Sequence, residues 1–323
     1  MAVVSVVLPV IQPFTPWGWV GFTYPGSALP GYVSVGIAPL GITLLTVSLM
    51  WMLPSLMNAL SLIRLTTQAA RWESAVIHIS GMEFSAAAAT YGGRPHAGRQ
   101  LRAIRPMRQK WATFIIRGAC GAIRAPGRLA VSVLAIVLAG VLVTLAFLPA
   151  SPSLLLGAVA GLVLFAALGP LTEGVRHAVS AASGSPLYGV SDQCLLSYHS
   201  LFPLAVIVLV VAVVAIVCSI VSGVATGIAL AGSVALGFLS LVARINSAIK
   251  GVLPIILLTP IPTPAGDVGI IVRMIWALDG VLFAALAGVA AVFVYDVPFF
   301  IVAVAVFLIV IAMKRWRHRR ERL

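Results

Sequence analysis

Few residues in this chain could do chemistry on a substrate, and they lie far apart. Asp279 is the acidic residue set well inside an apolar stretch, 269–293. At 1.5 Å per helical residue it lies about 15 Å from the start of that stretch, near mid-depth if the stretch crosses a bilayer. A carboxylate there is costly in lipid and should face the bundle interior or water. It could relay protons, contact a substrate or hold a buried hydrogen bond. No second intramembrane carboxylate or histidine completes a relay. The other titratable group is Glu173, His177, Asp192 and His199. Glu173 and His177 stand four apart, so a helix would put them on one face. A metal site made of these four lacks a compact ligand motif. Cys120, Cys194 and Cys218 are scattered without ligand spacing and read as free thiols. There is no P-loop, no H-E-x-x-H, no G-x-S-x-G and no carboxylate pair, so neither catalysis nor a bound cofactor is expected of this chain.

The elements that position these residues follow from composition. Hydrophobic residues make up 61% of the 323 and charged residues 9%, and mean hydropathy is +1.11. A soluble domain carries roughly 25% charge. So few charges cannot cover a water-facing surface, which excludes a soluble enzyme, a disulfide scaffold and a disordered chain. None of the charges falls in 1–63, 129–172, 193–243 or 297–313. Each gap but the last exceeds the roughly 20 apolar residues that span a bilayer as a helix. The apolar runs are continuous rather than alternating, which argues against a β-barrel. The start, Met1-Ala2-Val3-Val4, lacks the basic region of a signal peptide.

The chain is thus predicted to be an all-α polytopic membrane protein of about seven transmembrane helices. They fall within 31–63 and at 129–149, 153–171, 201–219, 222–243, 269–293 and 297–313. The breaks are turn-rich: Pro149-Ala150-Ser151-Pro152, Ser222-Gly223 and Tyr295-Asp296-Val297-Pro298. Residues 1–63 form an outer segment plus the first span, with Pro9, Pro13 and Pro16 interrupting any earlier helix. Residues 64–128 are a basic segment, 129–313 a six-span bundle and 314–323 a basic tail. Segments 64–128, 172–200, 244–268 and 314–323, with Arg273, carry all 21 Lys and Arg. The positive-inside rule makes that side cytoplasmic, C-terminus included. The net charge of +13 then faces anionic lipid rather than nucleic acid, most plainly in the run Lys314 to Arg320.

Within 64–128, Lys110 to Ala125 is amphipathic. Trp111, Phe114, Ile115, Ala119 and Ile123 recur at near-helical spacing, with Arg117 and Arg124 on another face. Pro126-Gly127-Arg128 then turns the chain into the next span. This predicts an interfacial helix lying in the headgroup plane. At about 29 residues, 172–200 is long for a connection that usually takes about 2–8, and it is predicted to form short cytoplasmic helices. Pro260, Pro262 and Pro264 break the chain before Asp267, which can cap the next span, and the apolar run 251–261 is too short to cross. Two G-x-x-x-G patterns, Gly157/Gly161 and Gly223/Gly227, allow close helix approach, within the chain or between copies.

From Lys110 onward the order is interfacial helix, two spans with a tight outer turn, a cytoplasmic segment, then four spans. This resembles the six-span permease of type-two ABC exporters, with its elbow helix and coupling segment. The wording is similar to actinobacterial ABC-exporter integral membrane subunits at Pro16-Trp17-Gly18-Trp19, at the basic Gly98 to Arg108 run and at Ala125-Pro126-Gly127-Arg128-Leu129. It is similar again at Gly169-Pro170-Leu171-Thr172-Glu173-Gly174-Val175-Arg176 and at Pro262-Thr263-Pro264-Ala265-Gly266-Asp267. Those relatives are longer at the N-terminus, with a preceding membrane half. This chain begins part-way through their pattern, as a short version or one half of a split transporter would.

The resemblance implies an export permease in a bacterial plasma membrane, moving a hydrophobic or amphipathic cargo outward. ATP and Mg would sit on a separate cytoplasmic ABC ATPase, and a second membrane subunit or a second copy would complete the transporter. Passing force from that ATPase needs a rigid cytoplasmic element. Residues 172–200 are the candidate, with Glu173, Arg176, His177 and Asp192 as polar partners and Leu187 and Tyr188 as apolar anchors. Two other functions fit the residues: a proton-coupled carrier using Asp279, and a non-transporting membrane scaffold.

Overall fold

A computed structural model describes residues 38–59, 61–80, 87, 90, 98, 100, 108–149, 151–182, 189–250, 262–263, 266–267 and 269–321. The expected outer segment 1–30, most of the basic 98–108 run, Leu187, Tyr188 and the apolar run 251–261 lie outside the described residues. The chain divides into two compact units, Met1–Ser74 and Ala75–Leu323.

The first unit contains α1 (Ala38–Ala59) and most of α2 (Leu62–Ser80). In α1, Thr43 and Thr46 donate their hydroxyls to the carbonyls of Pro39 and Ile42, four residues back. That satisfies each polar group inside an apolar helix. The apolar part of α1, Pro39–Ser55, is shorter than the other apolar helices. Helix α2 extends into the basic segment, where the sequence pattern marks charge but no helix.

The second unit holds α3 (Lys110–Ile123), α4 (Pro126–Leu145), α5 (Ser153–Leu171), α6 (Glu173–Ala181), α7 (Asp192–Ser222), α8 (Thr226–Lys250), α9 (Gly269–Val292) and α10 (Pro298–Glu321). A two-residue antiparallel ladder pairs Pro262 with Asp267 and Thr263 with Gly266. Six of the helices, α4, α5 and α7 to α10, are long and apolar enough to cross a membrane. The architecture is that of a multi-pass membrane protein; six of the seven expected spans coincide with these helices, and the expected first span, within 31–63, has no helix among the described residues apolar over a long enough stretch to cross.

The boundaries follow the turn residues. Proline stands at the first position of α4 and of α10, where its missing N–H costs no helical bond. Gly223 closes α7 in the left-handed conformation, φ 73°. Gly223 and Gly227 therefore lie on either side of a helix break. A Cβ at either would meet nothing within 4 Å, so the second G-x-x-x-G packs no helix among the described residues.

The first pattern behaves differently. A Cβ on Gly161 would come 2.0 Å from the carbonyl oxygen of Ala284, and one on Gly288 would come 1.9 Å from that of Gly157. Backbone touches backbone where α5 crosses α9, and only glycine fits. Helix α8 runs at the centre of the unit and packs on α4 to α7, α9 and α10. Leu239 meets Ala287, Ala290, Val304 and Leu308 in one buried cluster. The outer faces stay apolar: Leu209, Ile220 and Val221 on α7, and Phe299 and Val302 on α10, are exposed, as lipid-facing side chains are.

Candidate functional site

Two polar clusters form at the end of the bundle where the basic residues gather. The first is built around Asp279. Lys250, the last residue of α8, donates to its Oδ1 at 2.7 Å, and Arg315 of α10 donates to its Oδ2. Lys250 Nζ also sits 3.7 Å over the Trp276 ring, and the Arg315 guanidinium lies 5.7 Å from the Phe283 ring centre. Both aromatics flank Asp279 on α9, three residues before it and four after.

Arg315 and Arg319 of α10 also bind the end of α8. Arg315 donates to the Asn246 carbonyl at 3.3 Å and Arg319 to the Ile249 carbonyl at 3.4 Å. The last carbonyls of a helix lack intrahelical donors and carry its partial negative charge, so cations stabilise them. Asn246 in turn donates across to the Leu308 carbonyl at 2.8 Å. The ends of α8 and α10 are tied to the middle of α9 by one carboxylate and two cations.

These partners alter the reading of Asp279. Counting from residue 269 puts it halfway down a span. The structure sets it instead beside the last residue of α8 and the head of the α10 tail. Much of α9 before Asp279 therefore runs past the last turn of α8. Sequence could not show this, because Lys250 and Arg315 read as boundary charges and nothing in their spacing links them to residue 279.

The second cluster surrounds a cleft of about 220 Å³ where α3, α4, α5, α6 and α7 meet. Arg117, Arg128, Glu173, His177 and His199 line it, with Leu129 and Phe202 among its apolar walls. Arg128 and Glu173 form an ion pair at 2.6 Å, with side chains 36% and 56% exposed. At that exposure a pair contributes about 0–1 kcal/mol. His199 is buried, and its Nε2 has no hydrogen-bond partner among the described residues. Phe114 of α3 packs its ring against Tyr198 at 5.6 Å and edge-on to His199 at 4.9 Å. A Cβ on Gly118 would come 2.9 Å from the Phe202 ring, so α3 lies close against α7.

The amphipathic helix predicted at 110–125 is therefore present, but its apolar face is divided. Phe114 is buried against α7, Trp111 and Ile123 are exposed, and Ile115, Arg117 and Arg124 are half-buried.

Helix α6 gathers three predicted site residues. Glu173 and His177 share its exposed face, as their spacing implied, and Arg176 is half-buried. Burial draws the Arg176 guanidinium below its ordinary range; Glu173 opposes that shift and Arg128 adds to it. The opposite face packs inward. Ala178 joins Phe114 and Leu195, and Val179 joins Ile249 and Trp316. Asp192 lies apart, in the first turn of α7, where Ser191 caps the helix by accepting the Cys194 N–H.

At the α5–α6 junction, Arg244 of α8 donates to Thr172 Oγ1 at 3.4 Å and lies 4.6 Å over the Phe165 ring. Sequence reading missed Arg128 and Arg244 as site residues because both looked like charges that fix topology. No three His, Cys, Asp or Glu among the described residues come together as a metal site. No protein-family model, no curated protein and no solved structure matches the chain.

Proposed function

We propose that this chain is the membrane-spanning permease subunit of an ATP-driven exporter. In this reading it lies in a bacterial plasma membrane with its basic end and C-terminus cytoplasmic. A separate ABC ATPase supplies ATP and Mg, a second membrane subunit or a second copy completes the pathway, and a hydrophobic or amphipathic cargo moves outward.

The observation that carries the reading is the packing of α6. This short helix sits at the basic end with Glu173, His177 and Ser180 exposed on one face. Its other face is fixed to α3 and α7 through Ala178 and to α8 and α10 through Val179. A push on such an element passes into four helices at once. The start of α7 extends it: the helix has 31 residues where about 20 cross a bilayer, and Gln193, Cys194 and Ser197 are exposed. The Asp279 triad speaks against the proton-carrier alternative, because each carboxylate oxygen already accepts from a cation.

The test is to purify the full chain from its native membrane in mild detergent. Magnesium-dependent, vanadate-sensitive ATP hydrolysis should co-purify. Ser197→Arg and Gln193→Arg should uncouple or release it while the chain's thermal unfolding stays unchanged. Absence of any co-purifying ATPase, or ATPase and transport indifferent to both substitutions, would defeat the proposal.

A further inference from the structure

We propose that the cleft between α3, α4, α6 and α7 is a binding site for the phosphate headgroup of an anionic phospholipid. The inference needs only a membrane setting and does not depend on the transport reading.

Charge is the first argument. Arg117 and Arg128 line the cleft with Glu173 as its one acidic group, and Arg176 lies near enough to Arg128 and Glu173 to feel both. The cleft is cationic whatever the state of its histidines. Guanidinium groups match phosphate oxygens in a two-pronged geometry. The Arg128–Glu173 pair is half-exposed and weak, so Arg128 can turn to a phosphate at little loss.

The second argument is an unmet hydrogen-bonding group. His199 lines the cleft at 6% exposure, and its Nε2 has no partner among the described residues. Buried polar atoms without a partner are uncommon and call for one. Nε2 itself is shielded from the cleft in this geometry, so an anionic oxygen reaches it only when the His199 ring turns, and the arginines remain the primary contacts.

The third argument is shape. The cleft's 220 Å³ corresponds to several waters at about 30 Å³ each, room for a phosphate and the first glycerol atoms. The cleft has apolar walls at Leu129 and Phe202. Beyond Arg128, α4 continues with Val131 and Leu134 exposed, three and six residues on. A headgroup held at Arg128 can lay its acyl chain along that face. A soluble phosphate has no use for it.

The experiment uses the full chain in detergent, with phosphatidylglycerol, phosphatidylcholine of the same acyl chains, and sodium phosphate as probes. Native mass spectrometry should retain phosphatidylglycerol in preference to phosphatidylcholine, and thermal unfolding should rise with phosphatidylglycerol alone. Arg128→Gln should weaken retention at least about tenfold, the loss of one charged hydrogen bond. Glu173→Gln should strengthen retention, because it releases Arg128 and removes the opposing charge. Arg117→Gln provides a second weakening variant if Arg128→Gln fails to fold. Equal retention of the two lipids would overturn the site. So would stabilisation by phosphate alone, or a shift in the same direction for Arg128→Gln and Glu173→Gln. None of these readouts involves ATP hydrolysis, so a negative result here leaves the permease reading standing, and the reverse holds.

Discussion

Asp279→Ala should be among the most damaging polar substitutions in the bundle, and Lys250→Met should be far milder. The asymmetry follows from the triad's stoichiometry. The side chains of Asp279, Lys250 and Arg315 are 11%, 9% and 25% exposed, so water screens them little. Removing Asp279 strands two cations, and breaking a buried pair from one side costs about 3–5 kcal/mol. Removing Lys250 leaves the Asp279–Arg315 pair intact. It forfeits a charged hydrogen bond, about 1.5–3 kcal/mol, but also removes the repulsion between Lys250 and Arg315. Methionine keeps the stem against Trp276, so with the relieved repulsion the net cost should fall to about 1–2 kcal/mol, at or below the lower end of that range. Equilibrium unfolding of the purified protein in mixed micelles measures both. In the Asp279→Ala background, adding Lys250→Met should restore stability, since one stranded cation is gone. The reasoning fails if Lys250→Met costs as much as Asp279→Ala, or if the double variant is no better than Asp279→Ala alone. Normal stability with lost transport would instead return Asp279 to the substrate path.

Helix packing offers a sharp contrast. Gly161→Ala puts a methyl 2.0 Å from the Ala284 carbonyl oxygen and should cost about 1–3 kcal/mol or more, as overpacking does, whereas Gly227→Ala should fall within about 0.5 kcal/mol, the range of neutral surface changes. Topology can be read with the native thiols. Cys194, exposed at the start of α7, should react with an impermeant maleimide only after the membrane is opened, and a cysteine placed at Ser151 should react in intact cells; labelling of Cys194 in intact cells would invert the map.

The spans were legible because the bilayer demands a run of about 20 apolar residues and leaves little freedom. The breaks at Pro152, Gly223 and Pro298 were legible because turn residues cannot continue a helix. The α5–α9 crossing was half-legible: Gly157 and Gly161 announced a close approach, but Gly288, the partner, had no companion glycine four residues away to mark it. The clusters were not legible. Asp279 was visible as an anomaly, but its cations lie 29 and 36 residues away on other helices, and a basic residue at a span end is expected for orientation alone. Phe114 could not be told from Trp111 or Ile123 by periodicity; only contact with Tyr198 and His199 singles it out.

The two clusters are joined through α8. Arg244 reaches Thr172, the residue that leads into α6, and Lys250, six residues on, reaches Asp279. Six residues are about 9 Å of helix, so the two attachments lie on one short, stiff stretch. Ile249 between them meets Val179 of α6 and Trp316 of α10. A displacement of α6 therefore loads this stretch of α8 together with Trp316 of α10, which shares the Val179 cluster. A helix transmits along its axis with little compliance, and packed cores shift between discrete arrangements rather than deforming smoothly. Under the proposed permease reading, α8 is one element through which force on the basic end would enter the bundle. Ion pairs and cation–π contacts at Arg244, Lys250, Asp279 and Arg315 hold α5, α8, α9 and α10 together there, while the α5–α9 crossing rests on glycine contacts.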